Sequence, residues 1–150
     1  MPAGVGVTAA SAVRAIWWPV VEWIVADGMN VIGSRPTGWW RDRQGAARDL
    51  LRRLQRLADA SGDYVTLVLD GRPQPDLPEG DHGGVLVVYA RRSGPDAADE
   101  RIIDLVSEDP DPGSILVYTS DRALRRDLER LGTALDGATA LLARLEQLPG

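Results

Sequence analysis

Four short runs of aliphatic and aromatic residues punctuate the chain, at 23–26, 64–69, 85–89 and 115–119. They lack the polar alternation of a half-exposed sheet, so each reads as a strand buried on both faces, as in parallel sheets. Between and after them the spacing changes to that of helices. In 44–60 the residues Ala47, Leu50, Leu51, Leu54 and Leu57 form one apolar stripe, with arginine and aspartate elsewhere on the helix. The segment 97–107 places Ile102, Ile103 and Val106 on one side, 120–131 does the same with Ala123, Leu124, Leu128 and Leu131, and 138–148 closes the chain. Strand and helix alternate, which predicts an α/β fold built on a mainly parallel sheet with right-handed crossovers. The proline- and glycine-rich segment 71–84 reads as a loop. Residues 1–20 are expected to form a flexible or partly ordered leader, with Trp17, Trp18 and Trp23 packing around the first strand. Residues 21–150 form one domain.

Composition removes several chemistries. The chain has 150 residues and no cysteine, which excludes a disulfide framework, a thiol nucleophile and a cysteine zinc site. Its one histidine, His82, excludes a two-histidine metal site and reads as a loop residue without a role. Every one of the 17 basic residues is arginine, so a Walker lysine and Schiff-base chemistry are absent. A net charge of -5 provides no global field for nucleic acid. No apolar run reaches membrane-spanning length, and the expected location is the cytoplasm.

Ligands of open parallel sheets bind beyond the carboxyl ends of the strands, so the residue following each run is informative. Asp27, Asp70 and the pair Ser120-Asp121 follow three of the runs, and the remaining one leads into a helix starting with Asp96 and Asp99. One such aspartate is most simply a cap or turn former. Four on one edge repel each other unless a cation neutralises them, which points to Mg²⁺ or Mn²⁺. Such an ion can activate water for phosphodiester hydrolysis. Asp99 precedes Ile102 and Ile103 by three and four residues and so leans toward the sheet, leaving Asp96 as a cap or outer ligand.

The motifs Asp27-Gly28-Met29-Asn30, Val68-Leu69-Asp70-Gly71, Asp96-Ala97-Ala98-Asp99-Glu100 and Thr119-Ser120-Asp121-Arg122, in that order, resemble those of NYN domains, above all the YacP-like branch of the PIN-like ribonucleases. The resemblance spans roughly residues 22–131 and implies a three-layer α/β/α fold and a metal-dependent ribonuclease. Asp27, Asp70, Asp99 and Asp121 would be its catalytic acids, with Asp27, Asp99, Asp121 and Asp96 as metal ligands. Which of Asp96 and Asp99 takes the family position stays open. Asn30 would brace the first carboxylate or contact a phosphate, and Ser120 would bind a phosphate or cap a helix.

RNA, single-stranded by this reading, has local partners despite the net charge. Arg35, Trp39 and Arg41 lie past the first acid, and Arg72, Arg91, Arg92 and Arg122 belong near the same edge. Arginine forks onto phosphates and indoles stack on unpaired bases. Trp39 and Trp40 have the alternative of sealing the core under the long helix. Arg52, Arg53 and Arg125 read as solubilising. Two other functions remain open: a non-catalytic RNA- or protein-binding module, and a small-molecule phosphohydrolase. An apolar leader is compatible with a homodimer.

Overall fold

The computed structural model describes residues 21–149, so the leader with Trp17 and Trp18 lies outside the described residues. Five strands run parallel: β1 (Trp23–Asp27), β2 (Tyr64–Leu69), β4 (Val85–Tyr89), β5 (Ile115–Tyr118) and β6 (Ala134–Asp136). A sixth, β3 (Gly80–His82), pairs antiparallel with β4, and the order across the sheet is β3-β4-β2-β1-β5-β6. The central strands are buried on both faces, as their unbroken apolar sequences require.

Helices α1 (Gly28–Ile32), α2 (Arg43–Ser61) and α5 (Ala138–Glu146) cover one face. The stripe of α2 packs there on Ile24, Ala26, Leu67 and Val87 together with Leu141 and Leu145 of α5. Helices α3 (Ala97–Ser107) and α4 (Arg122–Arg130) cover the other face, setting Ile102, Val106, Leu124 and Leu128 against Val25, Val68, Ile115 and Val117. This is the three-layer PIN-like α/β/α arrangement.

Three elements depart from the sequence reading. The loop at 71–84 contains β3, which folds back on β4 through Gly83 and Gly84, both at positive φ (59° and 91°). That two-glycine turn is the type favoured in tight hairpins. β6 has only three residues and little strand propensity; its partner β5 makes it a strand. α1 is a five-residue helix inside the Asp-Gly-Met-Asn motif, too short to leave a periodic signal.

The chain leaves β1 toward β2 and β4 on one side, then crosses through α3 to β5 on the other. The strand order therefore reverses beside β1, and the crevice between the carboxyl ends of β1 and β5 is where an open α/β sheet binds ligands.

Candidate active site

Asp27 ends β1 and is only 5% exposed. Because Ala26 pairs with Tyr118, Asp27 stands beside Thr119 at the end of β5. The buried Thr119 hydroxyl donates to Asp27 Oδ2 at 2.8 Å and accepts the Asp121 backbone N–H at 3.1 Å. One side chain thus links two of the acids. Gly28 is required by close approach: a Cβ there would lie 2.7 Å from the Val68 carbonyl oxygen and 2.8 Å from Leu69 Cδ2.

Burial raises the Asp27 carboxyl from its ordinary 3.8 to about 6, against the lowering effect of the Thr119 hydrogen bond. The charges of Asp121 and Asp70 raise it further, and the Asn30 backbone amide lowers it. Asp99, half-buried on the first turn of α3, is pushed up to about 7, first by burial and then by Asp27, Asp121, Asp96 and Asp127. Carboxylates distant in sequence therefore sense each other at one edge. Among the described residues none of Asp27, Asp70, Asp96, Asp99 and Asp121 is in an arginine ion pair; the arginine pairs lie elsewhere.

The other acids have separate placements. Asp121 caps α4, its Oδ1 accepting the Leu124 N–H at 2.9 Å. The cap uses one carboxylate oxygen and leaves the other without that duty. Asp70 is exposed just past β2. Asp96 is exposed and occupies the N-cap position of α3 in the left-handed region (φ 62°), without a side-chain capping bond. Among the described residues no three His, Cys, Asp or Glu side chains form a ready-made metal cage. The donor set still has the hard-oxygen character that suits Mg²⁺ or Mn²⁺, and such ions keep several waters instead of demanding an all-protein shell.

The residues read as substrate contacts divide. Asn30 Oδ1 accepts the Ser120 N–H at 2.8 Å, and Ser120 Oγ accepts the Ala138 N–H at 2.9 Å. Asn30 thus braces the β5 loop, and Ser120 caps α5, whose own N-cap Gly137 has no side chain for the task. Arg35 pairs with Glu146 at the far end of α5. Eight residues of helix separate Glu146 from Ala138, about 12 Å along the axis, so Arg35 stands well away from the acids. Arg72 and Arg122 are exposed next to Asp70 and Asp121.

Trp39 and Trp40 form an edge-to-face pair with centroids 6.0 Å apart, in a single helical turn over Trp39–Arg41. Arg41 lies 5.8 Å from the Trp40 ring and Arg43 lies 5.3 Å from the Trp39 ring. Trp39 packs near Gly33 and is partly buried, while Trp40 is 53% exposed. The sealing and surface roles therefore fall to different indoles. A hollow of about 350 Å³ beside Trp39, lined also by Val31, Leu50, Arg53 and Leu142, lies away from the acidic edge.

Three residues carry more than their sequence reading suggested. Thr119, read only as the last residue of a strand, links Asp27 and Asp121. Arg125, read as solubilising, donates to the Thr119 carbonyl at 2.8 Å and holds that turn. Asp127 adds negative potential at Asp99 from α4. The Thr-Ser-Asp order after an apolar strand was the available signal for Thr119; nothing local marks the other two. His82 pairs with Val85 at the amino end of β4, opposite the acids, and its Nε2 contacts the Pro78 carbonyl at 2.6 Å.

A family model of the YacP-like NYN domain matches residues 24–149, which include all of these acids. The chain belongs to the YacP-like NYN family. This is a family of PIN-like nucleases. Two crystal structures of Rae1 (YacP) from Bacillus subtilis share the fold. One, a tryptophan-to-leucine variant, is 23% identical with a TM-score of 0.67, over 83% of this chain and 74% of the other. The second is 24% identical with a TM-score of 0.64, over 84% and 74%. No curated protein sequence matches the chain. Among the described residues no helix of this NYN domain is long and apolar enough to cross a membrane.

Proposed function

We propose that this NYN domain is a divalent-metal-dependent ribonuclease. What supports the proposal is that Asp27, Asp99 and Asp121 interact by charge near the strand-order reversal, with two carboxyls shifted upward and, among the described residues, no arginine pairing them. Asp27, Asp99 and Asp121 would hold Mg²⁺ or Mn²⁺, with Asp96 as an outer ligand, and the bound ion would supply charge neutralisation and activation of water for phosphodiester hydrolysis. Thr119 fixes the orientation of Asp27 and the start of the Asp121 turn. Asn30 and Ser120 tie that turn to α1 and α5. Asp70 supports the constellation from the rim. Inline attack leaves a 5′-phosphate and a 3′-hydroxyl.

The substrate is single-stranded RNA. Trp40 and Arg41 offer a stacking platform beside cationic charge, and Arg72 and Arg122 lie at the acidic edge to meet phosphates. Trp39 meets Trp40 edge to face. Arg35, engaged by Glu146, contributes only where the strand runs past α5.

The test is cleavage of an end-labelled oligoribonucleotide in Mn²⁺, with EDTA as control. Activity lost in EDTA and reduced at least ~100-fold in Asp27→Asn and Asp121→Asn is the expected result. The lack, among the described residues, of a ready-made three-ligand cage favours a second reading, a non-catalytic RNA-binding module. Wild-type protein that binds RNA without cutting it, and takes up Mn²⁺ no better than Asp27→Asn, would establish that alternative.

A further inference from the structure

Outside the acidic crevice, a hollow of about 350 Å³ lies between the outer face of α3 and the loop that leads into it. Arg91, Arg92 and Arg101 line it, together with Ala97, Glu100 and Asp104. Two of the guanidinium groups are neutralised: Arg91 faces Asp104 at 3.4 Å and Arg92 faces Glu100 at 2.7 Å. The third is not. Arg101 makes no ion pair among the described residues, and its Nε is buried without a hydrogen-bond partner. A buried donor left unpaired costs about 1–3 kcal/mol and calls for a partner.

We infer that this hollow is a phosphate subsite, in which Arg101, flanked by Arg91 and Arg92, receives a backbone phosphodiester of the polynucleotide that enters the acidic crevice. A guanidinium presents paired N–H donors that match phosphate oxygens. The carboxylates do not veto an anion. Both of their pairs are formed by side chains about half exposed, such pairs are worth little, and the charges balance to one uncompensated arginine. Arg101 is two residues beyond Asp99, so it projects roughly opposite to it around the helix, across about one helix diameter, ~10 Å. The phosphate held there therefore belongs to a flanking nucleotide and not to the scissile bond. A subsite at this distance also answers an electrostatic problem, because an edge rich in aspartate repels the strand it must receive unless positive charge flanks it.

The inference rests on the ribonuclease reading for its substrate, and two separate readouts keep them apart. The probe is a fluorescein-labelled oligoribonucleotide, with binding followed by anisotropy in EDTA across a salt series and cleavage followed in Mn²⁺. Arg101→Gln is expected to bind about tenfold more weakly. Its plot of log affinity against log salt should be flatter by about 0.7, the contribution of one phosphate contact on a single strand. Arg92→Ala, exposed and remote from the core, should weaken binding in the same direction and covers the case in which Arg101→Gln does not fold. Equal affinity and slope in folded Arg101→Gln overturns the subsite while wild-type cleavage leaves the ribonuclease standing. Binding that depends on Arg101 without any wild-type cleavage does the reverse. Wild type that captures inorganic phosphate through Arg101, with oligonucleotide binding indifferent to that residue, assigns the hollow to a free anion and also overturns the inference.

Discussion

Replacing Asp27 with asparagine should abolish cleavage and at the same time make the metal-free protein more stable above neutral pH. The carboxyl is buried, and its folded-state value of about 6 lies above the ordinary 3.8. For an acid raised in this way the folded protein binds more protons than the unfolded chain, so stability falls as pH rises between the two values. Above about 6 the full penalty of the buried charge is present, and it is relieved as pH falls toward 3.8. A shift of about two units corresponds to about 3 kcal/mol. Asparagine removes that penalty and keeps an oxygen to accept from the Thr119 hydroxyl, although its new N–H₂ needs a partner and offsets roughly 1 kcal/mol. The net expectation is a gain of about 2 kcal/mol at pH 8, or roughly 4–8 °C in Tm for a chain of this size. The informative quantity is the difference between Asp27→Asn and wild type at two pH values, from urea or thermal unfolding in EDTA. It should shrink by about 2 kcal/mol from pH 8 to pH 4, because a constant packing cost cancels. A variant that melts below wild type at pH 8, or whose offset ignores pH, would refute the claim that Asp27 is held as a desolvated, mutually repelled carboxylate.

Thr119→Val should raise the Asp27 carboxyl above about 6, because it removes the hydrogen bond that opposes burial, and should cost about 1–3 kcal/mol of stability; carboxyl carbon NMR titration and urea unfolding report the two effects. Gly28→Ala forces a methyl to within 2.7 Å of the Val68 carbonyl and should destabilise by about 1–3 kcal/mol or shift the end of β1, with a lowered Tm as the readout. Trp40→Ala should leave stability within about 0.5 kcal/mol, since the ring is 53% exposed, yet weaken oligoribonucleotide binding by about 1–3 kcal/mol in an anisotropy titration.

Much of this molecule was legible before its structure. Uninterrupted apolar runs announced a sheet buried on both faces, and the rule that ligands bind at carboxyl strand ends turned four aspartates into one candidate site. Ile102 and Ile103 set the side of the helix from which Asp99 senses the charges of Asp27 and Asp121, because helix periodicity is local. The omissions have one cause: short elements carry too few residues for a period. β6 exists because β5 pairs with it, and α1 because Gly28 lets the chain turn against Val68.

The amino-acid sequence alone determined the class of fold, the order of its main elements and which aspartates follow the strands. Local pattern settles these, since burial and helix faces depend on neighbours a few residues away. Only the tertiary structure decided which polar groups meet. Thr119 reaches Asp27 across 92 positions, Ser120 caps a helix that starts 18 residues later, Arg35 turns to Glu146, and Arg101 Nε has no hydrogen-bond partner among the described residues. Those choices follow from strand order and packing, and the charge environment of each carboxyl follows from them in turn.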